Sequence, residues 1–183
     1  MNQEQLKCYL KNEEERAFKG WDFSYLDGRW SNDKLPWDYR QIILDYLKPS
    51  DKLLDMGTGG GEFLLTLNHP YNLTSVTEAY PPNVQLCNKV LSPLGIDVKQ
   101  VFDDNNLPFS SNTFDVVIDR HESFNISEVN RILKGDGHFI TQQVGGRNNN
   151  NLSQKVIDNF YPEFSEYDLK QNRDDKRRIR DIA

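Results

Sequence analysis

Only two cysteines occur in the 183 residues, Cys8 and Cys87, far apart in the chain. Neither sits in a Cys-x-x-Cys or Cys/His spacing, so no metal site and no disulfide framework is expected, only two free thiols. Long apolar runs are also missing. No stretch approaches the ~20 residues that cross a bilayer. The opening segment MNQEQLKCYLKNEEER is charged where a signal peptide has its apolar core, so a cytoplasmic protein without membrane attachment is expected. Excess positive charge is absent too: the formal net charge is -6, which disfavours nucleic acid and membrane surfaces as partners. The one dense basic run, Lys176, Arg177, Arg178 and Arg180, lies near the end and reads as a solvated tail.

What remains suits one domain of ordinary size. The mean hydropathy of -0.74 is low, and much of the polarity lies at the two ends, so the core is sought between them. Residues 1–19 read as a polar helix. The stretch WDFSYLDGRWSNDKLPW (21–37) is dense in aromatics, with Trp21, Phe23, Tyr25, Trp30 and Trp37, yet Gly28, Asn32, Asp33 and Pro36 break any period. It is expected to be a flap whose rings pack on the domain or line a site. Residues 38–47 have helical spacing, and Pro49 ends that helix.

From there strand and helix alternate. Strands are predicted at 52–56, 73–77, 98–102, 114–119 and 138–144, with helices at 62–67, 82–91 and 127–133; Lys134-Gly135-Asp136-Gly137 reads as a turn. The pattern predicts a doubly wound, mainly parallel Rossmann-like sheet in a three-layer α/β/α arrangement. It divides the chain into a helical and aromatic lid segment (1–49), a Rossmann-like core (50–146), and a short helix with a charged tail (147–183). The tail offers no convincing sixth or seventh strand.

Three motifs carry chemistry. In LLDMGTGGGEFLL (53–65) an apolar strand runs into Asp55, Gly57, Gly59 and Gly61, and a helix opens. Glycines there permit left-handed backbone angles and close approach of a ligand. The Lys-Ser/Thr of a phosphate loop is absent, and the spacing is not the Gly-x-Gly-x-x-Gly of dinucleotide enzymes. An acid just before the first glycine repels pyrophosphate and attracts an ammonium. Glu78, at the tip of the next strand in LTSVTEAYPPN, is placed to accept from both hydroxyls of a ribose. In VFDDNNLPFSSNTFDVVI (101–118), Asp103 or Asp104 can accept from an exocyclic amine; an Asx-rich turn is the plainer reading, and the residues do not decide between the two acids.

The ordered set DMGTGGG (55–61), Glu78, DDNNLPF…FDVVI and EVNRILKGDGHF (128–139) closely resembles the class I S-adenosylmethionine-dependent methyltransferases of the type 11 group, over roughly residues 50–145. The resemblance implies S-adenosylmethionine as cofactor and S-adenosylhomocysteine as product. It implies that Asp55, Met56, Gly57, Thr58, Gly59 and Gly61 hold the methionine part, that Glu78 with Ala79 beside it holds the ribose, and that Asp103 with the Asp104 backbone reads adenine. Arg120 joins the cofactor set at the end of the fourth strand. The family's sheet has seven strands, the last two antiparallel, so this chain reads as lacking the C-terminal strands. An uncovered sheet edge would favour a homodimer.

Methyl transfer to an acceptor, expected to be a small molecule, is the leading function. His121, in IDRHES (118–123), is the candidate base near neutral pH, with a structural histidine as the competing reading. Trp21, Tyr25 and Trp37 are expected as an aromatic lid over the cofactor's cationic centre, with Arg29 on its carboxylate. A cofactor-binding module with impaired catalysis and a nicotinamide-dependent oxidoreductase are the alternatives.

Overall fold

In the computed structural model, residues 1–16, 24–29, 31, 35–144, 150–158 and 179–181 are described. Trp21, Phe23, Trp30 and the basic residues 176–178 lie outside them. Strands β1 (Leu53–Met56), β2 (Thr74–Glu78), β3 (Asp97–Gln100), β4 (Phe114–Arg120), β5 (Leu133–Gln142) and β6 (Ile179–Asp181) form one sheet in the order β3-β2-β1-β4-β5-β6. Every pairing is parallel. The order reverses between β1 and β4, which creates a crevice at their C-terminal ends, where doubly wound sheets bind ligands.

The apolar run of β1 is buried at all four positions, as a central parallel strand requires. Leu53, Val76, Val116, Ile118 and Ile140 face one side, against Tyr39 and Ile43 of α2 (Tyr39–Tyr46), Leu64 of α3 (Glu62–Leu65), and Cys87 of α4 (Pro81–Val90). Leu54, Met56, Val117 and Phe139 face the other, against Val129 and Ile132 of α5 (Ile126–Ile132). Strands β1, β4 and β5 therefore divide their residues between two cores, as the period of two dictates. The three-layer Rossmann-like expectation holds.

Three local readings differ. First, the third strand ends at Gln100 and not at residue 102, and residues 101–113 cross to β4 as a loop. Leu107 and Phe109 anchor it in the core beside α5. The Arg131 guanidinium donates to the carbonyls of Phe109 (2.6 Å) and Leu107 (2.9 Å), and Leu107 N–H donates to Glu128 Oε2 (2.9 Å). Second, the Lys134–Gly137 stretch is not a separate turn. It lies inside β5 as an irregularity, the register passing from Phe114↔Leu133 to Val116↔His138. Third, the charged tail does supply a sixth strand. Residues of β6 pair in parallel with Phe139, Ile140 and Thr141, so the middle of β5 is covered and is not the free edge expected for a homodimer. The run Ile-Arg-Asp is too short for a hydrophobic period to signal it.

Helix α1 (Gln3–Glu14) starts on an Asn2/Gln5 capping box and has no buried residue. Helix α6 (Asn150–Val156) follows β5 at a distance in sequence and leaves Val156 and Ile157 exposed. Among the described residues no helix is long and apolar enough to cross a membrane.

Candidate functional site

The glycine turn sits at the C-terminal end of β1. Gly57, Gly59 and Gly61 all have positive φ (62°, 66° and 85°), so the backbone coils left-handed three times in five residues. Two of these positions are also sterically closed. A Cβ at Gly57 would lie 2.7 Å from the Glu122 side chain, and one at Gly61 would lie 2.7 Å from Leu91. Gly61 thus serves helix packing, whereas Gly57 faces the crevice.

Asp55 is buried beneath the turn and accepts from the Thr58 hydroxyl at 2.7 Å. Burial pushes its carboxyl up to about 7, although Thr58 and the nearby Arg120 charge pull the other way. Met56 is buried in the core on the α5 side and does not reach the crevice. Glu78 knits the turn to the end of β2. Its Oε2 accepts from Gly59 N–H (2.8 Å), and its Oε1 accepts from the N–H groups of Ala79 and Tyr80 (2.9 Å each). Asn83 adds a longer bond to Oε2 at 3.4 Å. The buried Cys87 thiol donates to Gly59 O at 3.1 Å, and burial raises its pKa to about 12, so it acts as a neutral donor under the loop.

Asp103 caps its own loop as an Asx turn, accepting from the backbone N–H and the side-chain amide of Asn105; these bonds hold its carboxyl below the usual range. Asp104 accepts from the Ser123 hydroxyl at 2.6 Å, tying this loop to the segment after β4. Because Val101 N–H bonds to Glu78 O, the ends of β2 and β3 lie side by side. Two aromatic rings stand exposed just beyond them, Tyr80 (47%) and Phe102 (77%). The sequence reading passed over both, because a single exposed aromatic carries no periodic signal.

The β4 end holds Asp119, Arg120, His121 and Glu122. Asp119 is wholly buried; its Oδ1 accepts from Glu122 N–H (3.2 Å) and Gln143 (2.9 Å), while Oδ2 has no partner among the described residues. Burial drives its carboxyl up to about 8, with the charges of Glu122 and Asp55 adding to the rise. Glu122 leans over Gly57, half-buried, its pKa raised by desolvation. The Arg120 guanidinium lies 4.6 Å above the Phe63 ring. His121 takes a left-handed backbone (φ 67°), its N–H bonded to Gln142 O at 3.0 Å. Partial burial and Arg120 lower its pKa, so it is neutral at pH 7.

Of the flap residues, Trp37 reaches the β4/β5 end, its indole N–H donating to Gln142 Oε1 at 3.4 Å. Tyr25 and Arg29 are placed elsewhere. Arg29 donates to Tyr9 (2.9 Å) and pairs with Glu13 of α1 (3.3 Å), and it lies over the Tyr25 ring. The structure therefore joins these two to α1 and not to the crevice.

Residues 54–141 match the family model described as a methyltransferase domain. An uncharacterized protein of Methanocaldococcus jannaschii is 33% identical over 108 residues, which are 55% of this chain and 40% of that protein. The chain thus spans about two fifths of the curated relative it matches. A crystal structure from Thermotoga maritima, described as a SAM-dependent methyltransferase, superposes with a TM-score of 0.53 at 22% identity, over 73% of this chain and 65% of that one. The YcgJ protein of Bacillus subtilis gives 0.50 at 21% identity, over 59% and 50%. The reversal of strand order, the acid-led glycine turn and the match to a methyltransferase domain coincide in one segment, residues 54–141.

Proposed function

We propose that the chain binds S-adenosylmethionine across the C-terminal ends of β1, β2 and β4 and transfers its methyl group to a small-molecule acceptor. The observation that carries this reading is the triple left-handed turn at Gly57, Gly59 and Gly61, with Asp55, Glu78, Asp119 and Glu122 gathered around it. Such a cradle admits the main chain of a ligand closely. Glu78 and Glu122 favour a cationic ligand here and repel a pyrophosphate, which weighs against a nicotinamide dinucleotide.

Glu78 is the ribose residue. Its rotamer is fixed by three backbone donors, and its long bond to Asn83 is the one a sugar hydroxyl can replace at least cost. Tyr80 and Phe102 offer flat faces to an adenine, with the Asp103–Asn105 loop at its rim. The bound cofactor supplies an electrophilic methyl on a sulfonium sulfur, so the protein's work is to position, to exclude water and to manage a proton. Neutral His121 accepts that proton where the acceptor's nucleophile must lose one. Trp37 covers this end of the crevice.

Calorimetry with S-adenosylmethionine, S-adenosylhomocysteine and NAD tests the reading. The first two bind and NAD does not; Glu78→Ala weakens both by about tenfold or more, the worth of charge-assisted hydrogen bonds. Unchanged affinity in that variant, or binding of NAD alone, overturns it. Turnover across a panel of acceptors distinguishes an enzyme from a binding module, the reading to keep in view because the chain spans only 40% of its curated relative.

A further inference from the structure

We propose that Gln142, locked by Trp37, is a positioning residue that holds His121 neutral with its proton on Nδ1. The proposal rests on the reading of His121 as the proton acceptor at this site. It follows from hydrogen-bond roles that allow one arrangement. An indole N–H donates and cannot accept, so the Gln142 atom facing Trp37 at 3.4 Å is the carbonyl oxygen. The other end of the same amide, Nε2, therefore points away from Trp37, and it lies 3.4 Å from His121 Nε2. An amide NH2 only donates. His121 Nε2 must then carry a lone pair, and the imidazole proton sits on Nδ1. Protonating Nε2 would set N–H against N–H.

The backbone makes this alignment rigid. Arg120 and Gln142 are register partners across β4 and β5, and His121 N–H closes on Gln142 O at 3.0 Å. The left-handed φ of 67° at His121 then brings the ring back over the β5 end. Trp37 is held in turn because the next residues start α2, where Tyr39 OH lies between the chains at Asp119 O (2.8 Å) and Ile140 O (2.9 Å). Gln142, uncharged, faces His121 from β5, with the Arg120 cation and the Glu122 carboxylate on either side in sequence. Of the charged pair, Arg120 lowers the His121 pKa, in the same direction as the amide. The bond to Gln142 is long, so an acceptor hydroxyl or amine can displace it. Proton uptake then requires the amide to turn or withdraw, which Trp37 resists.

The test is side-chain nitrogen NMR of the full chain through a pH titration, for the native protein, Trp37→Phe and Gln142→Glu. His121→Asn assigns the signals. In the native protein His121 is mainly the Nδ1–H tautomer and titrates below 6.5. In Trp37→Phe the freed amide can present its oxygen to the imidazolium, and the midpoint rises. In Gln142→Glu a carboxylate faces the ring, and the midpoint rises by about one pH unit, a tenfold gain in proton affinity. Unmoved backbone amide signals away from the ends of β4 and β5 certify the fold. A native Nε2–H tautomer overturns the proposal without any variant, as does a His121 midpoint unchanged in both variants. None of these readouts needs cofactor or acceptor. Failure to bind S-adenosylmethionine would instead sink the functional reading and leave the tautomer result standing.

Discussion

Asp119 is the residue whose chemistry is least satisfied. A wholly buried carboxyl with one partnerless oxygen is costly when ionised. With its folded pKa at about 8 against 3.8 in a free chain, it keeps its proton in the native state while the unfolded chain gives it up. Its contribution to stability is therefore complete below pH 3.8 and is lost as pH rises through about 8. Asp55, raised to about 7, acts in the same direction. Thermal melts at pH 5.5 and 8.5 should show a marked drop for the native protein and a smaller one for Asp119→Asn, which has no charge to bury. Equal drops in the two proteins would mean that the acid is solvated after all.

Among the elements, the β3–β4 loop depends on one ion pair. Arg131 and Glu128 are one turn apart on α5, 2.7 Å from each other, and both reach the loop backbone. The hydrogen bond from Arg131 depresses the Glu128 carboxyl to about 2. The sign is opposite to that of Asp119: this stabilisation is full above pH 4.5 and is lost as pH falls through about 2. Glu128→Gln should lower the melting temperature at pH 7 and lose most of the native protein's acid-induced decline in that window. It should also speed amide hydrogen exchange at Leu107 and Asn105, because the loop presents the Asp103–Asn105 rim. Unaltered exchange there would show that Leu107 and Phe109 hold the loop by packing alone.

At the scale of the whole molecule, sheet edges govern association. Among the described residues the outer edge is β3, four residues long with a Lys99–Asp97 ion pair on it, an edge poorly suited to pairing with another chain. The other side ends on β6, which covers Phe139 to Thr141 of β5. A variant ending at residue 178 would bare that strand. It should sediment as a concentration-dependent oligomer, whereas the full chain stays smaller at the same concentrations. Identical sedimentation of the two would remove β6 as the guard of that edge.

The amino-acid order alone determined the β-α alternation, the fold class, the glycine turn with Asp55, and Glu78 at the next strand tip. These are local facts: apolar runs bounded by breakers, and glycines where only a side-chain-free backbone fits. Tertiary structure decided the rest. It gave Asp119 its orphaned oxygen, took Met56 into the core and Arg29 to α1, and gathered Trp37, Gln142 and His121 across more than a hundred residues of chain. Burial and hydrogen-bond partnership arise only when distant segments meet, and no pattern along the chain encodes which lone pair a neighbour will fill.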